Sequence, residues 1–261
     1  MRILLISLTL SFSLTTTGFA RDILPLPAHK KELAIVIDDL GNDMEGTKDI
    51  LDTEATLTIA VMPFLPSTKK DAERAHAKGH EVILHMPMEP VTGKASWLGP
   101  GALTTDLSDE EIRSRVEKAI QDVPHAVGMN HHMGSKVTAD ERIMRIVLEV
   151  CKKHGMFYLD SKTTGKSVIP KLAEELKVPY LENGLFFDDV YTKEHIGQQA
   201  TKLAAKLEKD DSMVAIGHVG VTGTMIASML KDFIPVYEKE ANIVPLSDLI
   251  PEYHLIDESM P

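Results

Sequence analysis

A parallel α/β fold is what this 261-residue sequence predicts. Three observations carry that prediction. Short apolar runs rich in branched residues alternate with amphipathic segments, the pattern of buried strands joined by helices. Seven or eight such units fit into roughly 230 residues, which is the arithmetic of a (β/α) barrel, with a doubly wound open sheet as the alternative. Aspartates and histidines stand where several of the apolar runs stop.

The elements read in order. Residues 33–37 (LAIVI) form a buried strand that stops at Asp38-Asp39, and a helix follows over 43–51. Residues 56–61 are the next strand. Ser67 can cap a helix through Lys78, closed by Gly79. A third strand, 81–84, ends at His85. Ser108 and Glu111 have capping-box spacing, and their helix runs to about Gln121. The fourth strand, 126–129, ends at Asn130-His131-His132. Thr138 and Glu141 repeat the capping spacing and open a helix to His154, with Gly155 as its stop. Residues 156–159 make a strand ending at Asp160. A helix near 168–176, a short strand near 179–181 and a helix over 191–207 come next. Residues 213–216 form a strand ending at Gly217-His218. Thr222 can cap a last helix to Glu238, and 243–245 is the final strand. The irregular stretch 87–104 carries the only tryptophan, Trp97, and long loops inside compact domains are usually functional.

Composition narrows the function. With 39 acidic against 28 basic residues the formal charge is −11, a poor basis for neutralising phosphates, so nucleic acid is not an expected partner. A hydrophobic share of 43% is enough to build a core, which excludes wholesale disorder. The single cysteine, Cys151, excludes an internal disulfide framework and a thiolate zinc cluster; inside a predicted helix it reads as core. Residues 1–20 have the pattern of a secretory signal peptide: Arg2, an apolar run, then Gly18 and Ala20 before the expected cleavage. That apolar run is too short to span a bilayer, and no later stretch is long enough either. The expectation is an exported periplasmic or extracellular protein, with residues 21–31 as a tether and 32–261 as one domain.

In parallel α/β folds the site lies at the carboxyl ends of the strands. Asp38-Asp39, His85, Asn130-His131-His132, Asp160 and His218 sit at five such predicted ends. Each has an ordinary reading as a cap, a turn or a packed polar group; together they suggest one site. Carboxylates and imidazoles without usable thiols suit a hard-to-borderline divalent metal, with Zn2+ favoured. Such an ion generates a nucleophile from water and polarises a carbonyl, while a free carboxylate and a histidine serve as base and acid. Glu89 lies four residues after His85, a ligand spacing on a helix, but Pro87 argues against a helix there. His131 and His132 point opposite ways in an extended chain, so one of them is the expected ligand.

The segments AIVIDDLG (34–41), GHEVILHMPMEP (79–90), GMNHHMGS (128–135), FYLDS (157–161) and AIGH (215–218) together resemble the divergent polysaccharide deacetylase family, a distant branch of the carbohydrate esterase family 4 polysaccharide deacetylases. The resemblance spans about residues 33–250. It implies a deformed (β/α) barrel of about seven parallel strands and a metal-dependent hydrolase that removes acetyl groups from cell-envelope glycans. By the same resemblance Asp38 is the general base, Asp39 the metal carboxylate, His85 the first metal histidine and His218 the general acid. Asp160 matches a further catalytic acid. The second metal histidine is replaced by Glu89, so the third ligand is His132, with Glu89 as the alternative. Trp97, Asn130 and Ser135 are the expected substrate contacts. An arginine that orients the base in the family pattern is missing, with Asn130-His131 in its place; this motivates a second expectation, a glycan- or envelope-binding module that keeps the fold and metal pocket without turnover.

Overall fold

Branched apolar residues every second position force their segments into strands with two buried faces, and this determines the architecture of the computed structural model, which describes residues 31–250. The expected signal peptide (1–20), most of the expected tether (21–31) and residues 251–261 lie outside the described part. The element order is β1 (Lys31–Leu40), α1 (Thr47–Leu51), β2 (Thr58–Val61), α2 (Thr68–Ala77), β3 (Glu81–Met88), α3 (Asp109–Asp122), β4 (Ala126–Met133), α4 (Glu141–Lys153), β5 (Phe157–Asp160), α5 (Ile169–Leu176), β6 (Tyr180–Glu182), β7 (Leu185–Phe186), α6 (Lys193–Leu207), β8 (Ser212–His218), α7 (Gly223–Tyr237) and β9 (Ala241–Ile243).

Every strand pairing is parallel, in the order β6-β5-β4-β3-β2-β1-β8-β7, with β9 added beside the start of β1. The sheet is a curled half-barrel of eight strands, a deacetylase-like α/β barrel that stays open between β6 and β7 among the described residues. Helices cover its outer face, where Ile35, Ile59, Leu84 and Met129 meet Ile112, Val147 and Ile226 in the larger core. The inner face holds a smaller core of Ala34, Val36, Ala60, Ile83, Leu159 and Ile216, sealed at the base by Leu246 and Ile250. Gly128 belongs to that face: a Cβ there would sit 2.4 Å from the Phe157 ring, so the ring fills the space a side chain would need. Overpacking of this kind costs about 1–3 kcal/mol.

Several local expectations are met and others corrected. Ser108 and Glu111 form the expected capping box. Thr138 does not cap α4; it lies in a single 3-10 turn and donates to Gly134 O, and Asp140 accepts from Arg142 N and Ile143 N instead. Ser67 and Thr222 precede helices without capping them; each hydroxyl donates to a buried aspartate, Asp71 and Asp188 respectively, and Ser67 Oγ accepts from Asp43 N rather than from its helix. Strands β3 and β4 run past their expected ends to Met88 and Met133, so His85 and the Asn130-His131-His132 run lie within strands. The two-residue β7 was not expected at all, being too short to show any periodicity.

Candidate metal centre

Alternation along each strand builds the site. The inward positions Ala34 and Val36 continue to Asp38, Ile83 to His85, Gly128 to Asn130 and His132, and Val214 and Ile216 to His218. Apolar side chains therefore fill the lower half-barrel, and acids, amide and imidazoles crown it. A regular strand would send Asp38 and Asp39 to opposite faces. Instead the β1–β2 register slips between Ile37 and Leu40, and Asp39 takes a left-handed φ of 72°. Aspartate is among the few non-glycine residues that tolerate this conformation. Both carboxylates consequently line one cavity.

Asp39 Oδ1 lies 3.1 Å from His85 Nε2 and 2.8 Å from His132 Nδ1. One donor atom from each of the three residues lies within 4.8 Å of the others. The outer ring nitrogens are held by acceptors. Asn130 Nδ2 donates to Asp38 Oδ1 at 2.8 Å, which turns the amide oxygen toward His85 Nδ1, 2.7 Å away. Trp97 O, which can only accept, lies 3.1 Å from His132 Nε2. In neutral rings these contacts put the protons on the outer nitrogens and aim two lone pairs at Asp39. Two lone pairs facing a carboxylate repel unless a cation stands between them. Imidazoles held through their second nitrogen are the usual environment of metal ligands, so the residues present fit a divalent ion.

Electrostatics separates the remaining groups. Burial pushes the Asp38 carboxyl above the usual range, despite the opposing influence of His85, His218 and the Asn130 hydrogen bond. For Asp39 burial acts the same way, but His132 and His85, which donate to it and carry positive charge when their rings are protonated, outweigh burial and hold the group well below 3.8. His218 Nδ1 lies 2.8 Å from Asp188 Oδ1, while the His218 backbone N–H and the Thr222 hydroxyl donate to Asp188 Oδ2 at 3.0 and 2.6 Å. Burial disfavours the His218 cation, yet Asp188 and the more distant Asp39 and Asp38 lift it to about 10. The ring's Nε2 remains for the cavity, and 30% of the side chain is exposed. Asp38 and His218 thus stand side by side on adjacent strands, paired in the β1–β8 register.

The cavity measures about 370 Å³ and is lined by Asp38, Asp39, His85, His132, Asp188 and His218 among others. A larger groove of about 730 Å³ between α1 and α7 is lined by residues such as Lys48, Asp52, Ser228 and Lys231 and contains no imidazole. The chemistry-bearing groups gather in the smaller space.

Not every expected residue joins them. Glu89 is absent from the three-residue cluster; its carboxylate accepts from Thr105 N, Thr105 Oγ1 and Lys136 Nζ and braces the loop instead. Asp160 is fully buried outside the cavity lining, with Oδ1 accepting from Lys162 N and Oδ2 unpartnered, so a direct catalytic role finds no geometric support. His131 stands near it, 3.2 Å from Tyr158 Oη, and burial with the nearby His85 and His132 drives it down to about 3, a neutral ring. Trp97 meets the site only through its carbonyl, and the residue is 57% exposed. Asn130 has no exposed surface and spends both amide ends on Asp38 and His85, which corrects its expected part as a substrate contact. Ser135 Oγ accepts from Val91 N and ties down the loop. Asp188 is the functional residue that sequence reasoning missed. The signal was there: Phe187-Asp188-Asp189 repeats the apolar-Asp-Asp ending of Ile37-Asp38-Asp39.

Comparison with known proteins agrees with this architecture. Residues 35–250 match the family model described as divergent polysaccharide deacetylase. The uncharacterized protein YibQ of Escherichia coli K12 is 32% identical over 192 residues, which cover 74% of this chain and 60% of that protein. The chain therefore spans less than two thirds of that relative's length. Among solved structures, the uncharacterized protein ATU2773 of Agrobacterium tumefaciens superposes with a TM-score of 0.77 at 18% identity, covering 86% of this chain and 91% of the other. The peptidoglycan N-acetylglucosamine deacetylase Bc1960 gives a TM-score of 0.50 at 16% identity, covering 86% and 90%. A CE4 family pseudoenzyme of Bacillus anthracis, BA3943, also gives 0.50, at 12% identity over 84% and 65%.

Proposed function

The chain belongs to the divergent polysaccharide deacetylase family, and from that membership we propose that it is a metal-dependent hydrolase removing acetyl groups from glycans of the cell envelope. The observation that carries the reading is the convergence of Asp39, His85 and His132, with both imidazoles held by their outer nitrogens. A bound divalent ion, Zn2+ by the donor set, would polarise the acetyl carbonyl and acidify water. Asp38 accepts the proton of the attacking water, and its raised titration range makes it a better base than an ordinary aspartate. His218, protonated below about 10, gives its Nε2 proton to the departing amine or alkoxide. Asp188 holds that ring in place and stabilises its charge. The signal-like residues 1–20 support an exported protein, periplasmic or extracellular, which would meet such glycans. Among the described residues no helix is long and apolar enough to cross a membrane.

The test is acetate release by purified, zinc-loaded protein from peptidoglycan fragments, chitin oligomers and acetylated xylan. Release that disappears with a chelator and in Asp38→Asn is the expected result. No release from any of the three overturns the reading.

A second reading, glycan binding without turnover, draws on two features. The base-orienting arginine of the family pattern is absent, and one structural neighbour is a pseudoenzyme. Retention of glycan by both wild type and Asp38→Asn, with no acetate from either, is the outcome that favours it.

A further inference from the structure

Asn130 stands on β4 directly opposite His85 on β3. Its side chain meets two groups with different tasks: Oδ1 faces His85 Nδ1 at 2.7 Å and Nδ2 donates to Asp38 Oδ1 at 2.8 Å. Few side chains can do both. A carboxylate could accept from His85 but could not donate to Asp38. A guanidinium or ammonium could donate to Asp38 but could not accept from His85. A charged donor here would also repel a cation held by His85. The neutral amide meets both demands, and its planarity fixes the two contacts relative to each other. Full burial raises the stakes, because an amide end left unpaired there has no water to turn to.

We propose that Asn130 is a positioning residue that sets the base and a metal ligand with one rigid group. It holds Asp38 by one oxygen and locks His85 in the tautomer whose Nε2 lone pair faces Asp39. The relative placement of base and cation is then determined by a single side chain. The assignment rests on the hydrolase reading for its catalytic half; its tautomer half concerns the protein alone.

The experiment compares wild type, Asn130→Ala and Asn130→Asp. Zinc affinity is measured by competition with a chromophoric chelator, the His85 tautomer by 15N NMR of the metal-free protein, and kcat and KM at saturating zinc. In Asn130→Ala zinc binding weakens about 10–100-fold, His85 loses its single tautomer, and kcat falls with KM little changed. Asn130→Asp keeps the acceptor for His85 and loses the donor to Asp38, so it retains the tautomer and near wild-type zinc affinity while kcat falls. If Asn130→Ala fails to fold, the near-isosteric Asn130→Asp carries the test. An Asn130→Ala protein with an unchanged tautomer and zinc affinity, altered only in thermal stability, overturns the assignment. So does an Asn130→Asp protein with wild-type kcat. Wild type that binds no zinc refutes the hydrolase reading, and the tautomer of metal-free Asn130→Ala then still decides whether Asn130 orients His85.

Discussion

The two ends of the curled sheet each hold a carboxyl group withdrawn from water. Asp38 sits at the carboxyl end of β1 and Glu81 at the amino end of β3. Burial pushes both above their usual range. Their partners differ. Glu81 accepts from the Thr58 hydroxyl and from the backbone N–H groups of Leu246 and Ser247, so its partners fasten the segment that seals the base of the half-barrel. Asp38 accepts from one amide and otherwise faces imidazoles and a cavity. A displaced carboxyl titration therefore does not distinguish anchor from site. What distinguishes them is whether the surrounding donors close the group off or leave it facing space that a substrate can enter.

Substitutions at four positions sharpen or break that contrast. The largest effect belongs to His85→Ala, which removes a ligand at the upper end. Zinc affinity should fall by more than the 10–100-fold typical of losing a supporting partner, and metal-dependent acetate release should vanish. Equilibrium dialysis and an acetate assay check both; undiminished zinc binding would show that the ion sits elsewhere. Asp38→Asn comes next. It keeps the three-residue cluster, so zinc affinity should hold while kcat drops by about 10²–10⁴, the usual contribution of a positioned base.

Asp188→Asn has a smaller effect, read along the pH axis. His218 is raised from 6.5 to about 10 chiefly by Asp188 acting against burial. The proton is thus held in the working range and lost as pH rises through about 10, which sets the alkaline limb of activity. Its stabilising contribution follows the same course, being complete below 6.5 and gone above about 10. Without the Asp188 charge the limb should move at least one unit toward neutrality, as a pH–rate profile of both proteins would show. An unmoved limb would mean that some other group donates the proton.

How much of this was legible in the sequence follows from length and alternation. Runs such as Leu33–Ile37 are long enough to display their class, so the strand–helix order was readable, as was the Ser108–Glu111 capping box, which needs only local spacing. The ends of β3 and β4 were not, because His85, Asn130 and His132 are polar residues on the inner face of strands and break the apolar pattern that marks a strand. The grouping of Asp39, His85 and His132 was expected from their residue types. Asn130 was placed against substrate because a sequence does not show that its side chain meets Asp38 and His85. Asp188 was overlooked because β7 offers only Leu185 and Phe186 ahead of it. The roles of Thr138 and Thr222 went astray for a related reason: a threonine before a helix can cap it or serve a more distant partner, and tertiary structure makes the choice.

The smallest effect on chemistry belongs to Glu81→Ala at the opposite end. It leaves the Leu246 and Ser247 N–H groups without their carboxylate acceptor, a loss of about 1–3 kcal/mol. For a domain of this size each kcal/mol lowers Tm by about 2–4 °C. Zinc affinity and kcat should remain at wild-type values, because Glu81 lies at the amino end of β3, away from the cavity that Asp39 and His85 line. Glu81→Gln keeps an oxygen acceptor and cannot ionise. In wild type the raised group adds stability below 4.5 that is lost as pH rises through its folded value; in the glutamine variant that dependence should flatten. Scanning calorimetry across pH, set beside kinetics on the same samples, separates the two ends. If Glu81→Ala lowered kcat as sharply as Asp38→Asn, the division between an anchoring base and a reactive rim would fail.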